Sequence, residues 1–143
     1  MKVLFVCKSN QFRSQMAAAL YNKLTGTSDA SSAGTCVGSE DEPEGSVIET
    51  YFRTSDFFEL MEREGMHVRG NRTTRLTPEM LDAADVVVNM AEEPFIPEFL
   101  KNDDERIVHW NVANPAYATR DISNGTIRQV KELVKELIRR NSL

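Results

Sequence analysis

Near the N-terminus four apolar residues, Val3-Leu4-Phe5-Val6, run into Cys7 and then into a polar stretch, Lys8-Ser9-Asn10-Gln11. A run this short, rich in β-branched and aromatic residues, suits a buried strand. From residue 14 the pattern changes period. Met16, Ala17, Ala19, Leu20 and Leu24 recur at helical spacing over residues 14–24, and Gly26 stops the helix. A buried strand followed at once by a helix is half of a βαβ unit. The rest of the chain repeats the alternation. Residues 31–33 form a short strand candidate ending at Gly34, and residues 36–46 read as a loop with Gly38, Pro43 and Gly45. Residues 52–63 place Phe57, Phe58, Leu60 and Met61 at helical spacing, with Gly65 beyond them. Thr77-Pro78-Glu79 is a helix start, with Thr as N-cap and Pro at the first position. Val86-Val87-Val88 is a third strand, residues 94–100 a helix candidate with Phe95, Ile96, Phe99 and Leu100 inward, and residues 107–110 a fourth strand. A last helix is expected from a capping box of Thr126 and Gln129, with Ile127, Val130, Val134, Leu137 and Ile138 as its stripe.

Alternating strands and helices imply a layered α/β fold with parallel pairing. Parallel strands aim their C-terminal ends at one edge, and ligands bind there. The chemistry is therefore sought at Cys7, at Gly34-Thr35, at Met90 and after Trp110. The 143 residues show no repeat, linker or low-complexity tract, so a single domain over residues 1–143 is expected. A net charge of −5 argues against a nucleic-acid surface. No apolar run approaches bilayer length, and Lys2 and the apolar residues after it lead into no signal-peptide core. A cytoplasmic protein with no membrane or nucleic-acid partner is expected. Two cysteines, Cys7 and Cys36, do not make a disulfide scaffold.

Cys7 and Arg13-Ser14 frame a C-x5-R-S sequence between strand and helix. Five residues in that setting wrap their N–H groups around a tetrahedral oxyanion at a helix N-terminus. The same field favours the Cys7 thiolate over the thiol. Arg13 supplies a planar fork for two anion oxygens. Asn10 tolerates the left-handed backbone that so tight a loop requires. Without that setting, the spacing fits a small buried Cys7 and a surface Arg13 equally well. His67 and His109 have no metal-ligand spacing, and no metal or other cofactor is expected.

The stretch Val3-Leu4-Phe5-Val6-Cys7-Lys8-Ser9-Asn10-Gln11-Phe12-Arg13-Ser14-Gln15-Met16-Ala17 resembles the N-terminus of the low-molecular-weight protein tyrosine phosphatase superfamily, which also contains thioredoxin-coupled arsenate reductases. Ser32-Ala33-Gly34-Thr35 and the stretch from Leu76-Thr77 through Asp85 to Met90 extend the resemblance over nearly the whole chain. Arg13-Ser14-Gln15-Met16-Ala17 and His109-Trp110 look closer to the reductase side. The resemblance implies a three-layer domain, its four-stranded parallel sheet in the order 2-1-3-4 with helices on both faces. It implies a thiophosphate intermediate on Cys7. Lys8, Ser9, Asn10, Gln11, Phe12 and Arg13 would bind the oxyanion, and Ser14 would hydrogen-bond the thiolate. Cys36 and Tyr117 would border the substrate mouth. The substrate would be a phosphorylated protein or a small oxyanion.

Three departures from the family pattern matter. The general acid of the family is the Asp of an Asp-Pro pair, and here the pair is Asn114-Pro115. An amide cannot protonate a leaving group, so ester hydrolysis is expected to be slow. Asp121 is the nearest substitute, read more simply as an exposed acid by the last helix. Phe12 replaces a thiol that some members carry beside the nucleophile. The stretch Ala91-Glu92-Glu93-Pro94-Phe95-Ile96-Pro97 lacks the relay cysteines of the reductases, so arsenate reduction would need an external thiol or redox partner. That activity and a low-turnover oxyanion-binding regulator are the alternatives to a phosphatase. Cys36 is read as a free loop thiol, with a reversible disulfide to Cys7 as the alternative. Glu40, Asp41, Glu42 and Glu44 form an acidic loop, either merely solvated or bordering the mouth.

Overall fold

The computed structural model describes residues 1–51, 56–114 and 120–141, with side chains from residue 124 onward in the last stretch. Four strands, β1 (Val3–Cys7), β2 (Ala30–Gly34), β3 (Val86–Asn89) and β4 (Ile107–His109), form one sheet in the order β2-β1-β3-β4. Every pairing is parallel. The helices are α1 (Arg13–Thr25), α2 (Phe57–Arg63), α3 (Pro78–Asp82) and α4 (Arg120–Asn141).

The period of two along β1 builds two cores. Val3, Phe5 and Cys7 face one way, with residues of α1, α2 and α4. Leu4 and Val6 face the other, with Leu76, Leu81 and Leu100. In-register pairing of Val3 with Val86 and Leu4 with Val87 carries the alternation into β3. All five β1 residues are buried, as expected of a central parallel strand covered on both faces. Phe5 packs its ring against Tyr21 and Trp110, at centroid distances of 6.2 and 5.8 Å.

Several elements depart from the sequence expectations. Helix α4 begins at Arg120, so Thr126 lies inside it and is not its N-cap. Gln129 donates to Asn111 O at 3.0 Å instead of closing a capping box. Ser123-Asn124-Gly125, weak helix formers, are carried by the helix because Ile127, Val130 and Val134 anchor it in the core. Residues 94–100 hold only a short 3₁₀ turn, Glu98–Leu100, since Pro97 supplies no backbone donor. Phe95 is exposed there, contrary to a core assignment, while Leu100 is buried. Leu24 is also exposed, because α1 turns its last residues to solvent before Gly26 closes it at φ 69°. Of the helix expected over residues 52–63, Phe57–Arg63 is helical, and residues 52–55 lie outside the described residues. Among the described residues no helix is long and apolar enough to cross a membrane.

Candidate active site

The ends of β1 and β2 make the floor of the site. Cys7 pairs with Gly34, the Thr35 N–H donates to Cys7 O, and the Cys36 N–H donates to Lys8 O, both at 2.9 Å. Gly34 allows the next loop to lie close. A Cβ there would stand 2.9 Å from Asn10 N and from Lys8 O, and 2.6 Å from Val37 Cγ2. The chain turns through Lys8–Phe12 with Asn10 at φ 55°, the left-handed conformation its side chain tolerates. Helix α1 follows at once. Phe12 precedes it and has no side-chain acceptor, and no acid lies in its first turn. Its leading N–H groups and positive dipole end are therefore not satisfied by a capping carboxylate.

Cys7 Sγ lies inside this turn and is buried. Asn10 N–H donates to it at 3.3 Å, and Ser14 Oγ lies 3.0 Å away. Asn10 Nδ2 donates to Ser14 Oγ at 2.7 Å. Two polar groups are thus brought onto one sulfur. Phe12 instead enters the core, its ring centroid 3.8 Å from that of Phe57.

Arg13 is fully buried. Its Nη1 donates to Met90 O at 2.7 Å, to Val112 O at 3.0 Å and to Glu92 Oε2 at 2.7 Å. The fork predicted for an anion thus holds a carboxylate of the chain's own. Asn89 shapes the carbonyl side of this contact. Its Oδ1 accepts from Ala91 N and its Nδ2 donates to Ala91 O, closing the turn that presents Met90 O. The same Nδ2 meets His109 Nδ1 at 3.2 Å, so His109 hydrogen-bonds at the end of β4. A cleft of about 360 Å³ opens here, lined by Met90, Glu92, Ile96, His109, Trp110 and Val112 among others.

On the other side, Lys8 Nζ lies 3.6 Å from Glu42 and 4.6 Å from the Phe95 ring centroid. One acid of the 40–44 loop therefore touches the rim. Cys7 and Cys36 are both free thiols. Asn114 is exposed. Tyr117 and Pro115 lie outside the described residues, as does the Asp121 side chain. Among the described residues no group of three or more His, Cys, Asp or Glu is placed to hold a metal.

The family model for low molecular weight phosphotyrosine protein phosphatases matches residues 2–142. The chain belongs to that family. A low molecular weight protein tyrosine phosphatase from T. tengcongensis is 26% identical, with 98% of this chain and 99% of that one covered and a TM-score of 0.76. An arsenate reductase in its phosphate-binding state is 25% identical, covering 99% and 100%, at a TM-score of 0.71. An arginine phosphatase from Geobacillus stearothermophilus is 21% identical, covering 97% and 91%, at 0.73, a likeness of fold. No curated protein sequence matches.

Three residues of this phosphatase-family site escaped the sequence reading. Gln15 is buried beneath the loop, Asn89 shapes the β3 turn, and Glu92 meets Arg13. Glu92 carried no local signal, because its partner is 79 residues away in sequence.

Proposed function

We propose that this chain hydrolyses phosphate monoesters of the phosphotyrosine type through a thiophosphate on Cys7. The observation that carries the reading is the convergence of Asn10 N–H and Ser14 Oγ on Cys7 Sγ at the N-terminus of a 13-residue helix. These donors and the helix dipole direct positive charge at the sulfur that attacks and later leaves phosphorus. In the first step the sulfur lone pair forms an S–P bond while the P–O bond to the leaving group breaks. The N–H groups of residues 8–13 and the Arg13 guanidinium stabilise charge on the equatorial oxygens. In the second step a water oxygen attacks phosphorus, the S–P bond breaks, and its electrons return to a sulfur held by Ser14 and Asn10.

The leaving oxygen gets no proton from Asn114. General acid catalysis contributes roughly 10²–10⁴-fold, so poor leaving groups suffer most and aryl phosphates least. The test is p-nitrophenyl phosphate hydrolysis by the wild type, Cys7→Ser and Asn114→Asp. Activity that vanishes in the first variant and rises in the second supports the reading. Absence of hydrolysis in all three overturns it. Arsenate with an added thiol is then the substrate to try, since likeness to an arsenate reductase spans nearly the whole chain.

A further inference from the structure

We propose that Gln15 is a positioning residue that, together with the Thr74 N–H, biases which atom receives the Ser14 proton. The inference deepens the reading above, because it rests on Cys7 being the nucleophile. Gln15 is the third residue of α1 and is 5% exposed. Its Nε2 donates to two backbone carbonyls, Asn10 O and Arg72 O, each at 3.2 Å. Carbonyls only accept, so the amide orientation of Gln15 is fixed by the backbone. Its Oε1 accepts from Asn71 Nδ2 at 3.1 Å. The same Nε2 lies 3.3 Å from Asn10 Oδ1. The Thr74 N–H, which only donates, reaches that oxygen at 2.8 Å.

The Thr74 N–H therefore holds Asn10 Oδ1, and one Gln15 Nε2 proton is shared between that oxygen and Asn10 O, so Nδ2 must face the other way, towards Ser14 Oγ. A hydroxyl has one proton. Since Ser14 Oγ accepts from Asn10, its proton is left for Cys7 Sγ at 3.0 Å. A flipped Asn10 would set NH₂ against the Thr74 N–H and the Gln15 NH₂. It would also offer Oδ1 to Ser14 and draw the proton off sulfur. The chain of bonds from Gln15 and Thr74 through Asn10 and Ser14 to Cys7 has one direction, and Gln15 is its first side chain.

The test is the rate of Cys7 alkylation by iodoacetamide against pH, with the labelled peptide identified by mass spectrometry so that Cys36 is counted separately. Gln15→Met removes the donors while keeping length. The alkylation rate at pH 6 is expected to fall about 3- to 10-fold, because a hydrogen bond to a charged sulfur is weakened while Thr74 still holds part of the orientation. The plateau at high pH stays put. In a Ser14→Ala background the same substitution is expected to change nothing further, since its effect passes through Ser14. An unchanged profile in Gln15→Met overturns the proposal. So does an equal loss in both backgrounds, which would mark a packing role alone. Should Gln15→Met fail to fold, Gln15→Glu carries the test with the same two outcomes. It keeps the Asn71 partner and turns acceptors towards Asn10 Oδ1. Alkylation reads Cys7 whether or not an ester is cleaved. A protein inactive on p-nitrophenyl phosphate but with the predicted profiles would sink the phosphatase reading and leave this one standing.

Discussion

Arg13 Nη1 stands 2.7 Å from Glu92 Oε2, and the two ends of this ion pair differ sharply in exposure, the arginine side chain at 2% and the glutamate at 49%. The guanidinium is held by two backbone carbonyls, whereas the carboxylate side chain is half exposed to solvent. An anion entering the loop must share Arg13 with Glu92 or displace it. Glu92→Gln is therefore expected to bind oxyanions more tightly. Inhibition by inorganic phosphate should strengthen about 3- to 10-fold, a charge–charge competition at a partly exposed site. Competitive inhibition assays on the two proteins check this, and an unchanged inhibition constant would refute it.

Gly34 explains why the strand order and the loop belong together. Its absent side chain admits Lys8 O and Asn10 N, and backbone atoms cannot yield as a flexible side chain can. Gly34→Ala is expected to cost about 1–3 kcal/mol through overpacking. It should also lower p-nitrophenyl phosphate turnover by pushing Asn10 off Cys7. Thermal melts and initial rates measured together test both effects. A variant with wild-type turnover would show that the loop tolerates displacement.

The fold was legible because period-two and helical patterns are local. β1 through β4 and the stripe of α4 needed no knowledge of partners. Boundaries failed where tertiary packing overrode local preference, as at Ser123-Asn124-Gly125 inside α4 and at the Pro-interrupted 94–100 stretch. At the site, Cys7, Asn10, Arg13 and Ser14 were legible because eight consecutive residues hold them all. Glu92, Asn89 and Gln15 were not, since their meaning comes from atoms contributed by β3, β4 and the segment at residues 71–74. Phe95 was misassigned for a related reason. Its ring lies under the Lys8 ammonium, a contact between loops that no helical period encodes.

Lys8 also joins the rim to the acidic loop through Glu42. With Glu92 on the opposite side, carboxylates flank the approach to Cys7. Raising chloride from low to physiological concentration is expected to increase kcat/KM for p-nitrophenyl phosphate, because screening relieves repulsion of a dianion. Glu42→Gln should flatten that salt dependence. A wild type whose rate falls or stays level with salt would remove electrostatic exclusion from the account.

Away from the site, Arg69 ties α2 to the turn Ile48–Tyr51. It donates through Nε and Nη2 to Glu62 and through Nη1 to Glu49. Hydrogen bonding from Arg69 holds the Glu62 carboxyl below the usual carboxylate range, against a smaller opposing effect of burial. A carboxyl depressed in the folded state contributes stability that is fully present above its unfolded value, about 4.3. That contribution disappears as pH falls through the folded value, since protonation abolishes the pair. The wild-type melting temperature should therefore drop between about pH 5 and pH 3 more steeply than that of Glu62→Gln. Asp104, held low by hydrogen bonds from Arg106, titrates in both proteins, so the difference between the two curves isolates Glu62. Melting curves that run parallel across this window would show that the Arg69 pair adds nothing to the folded state.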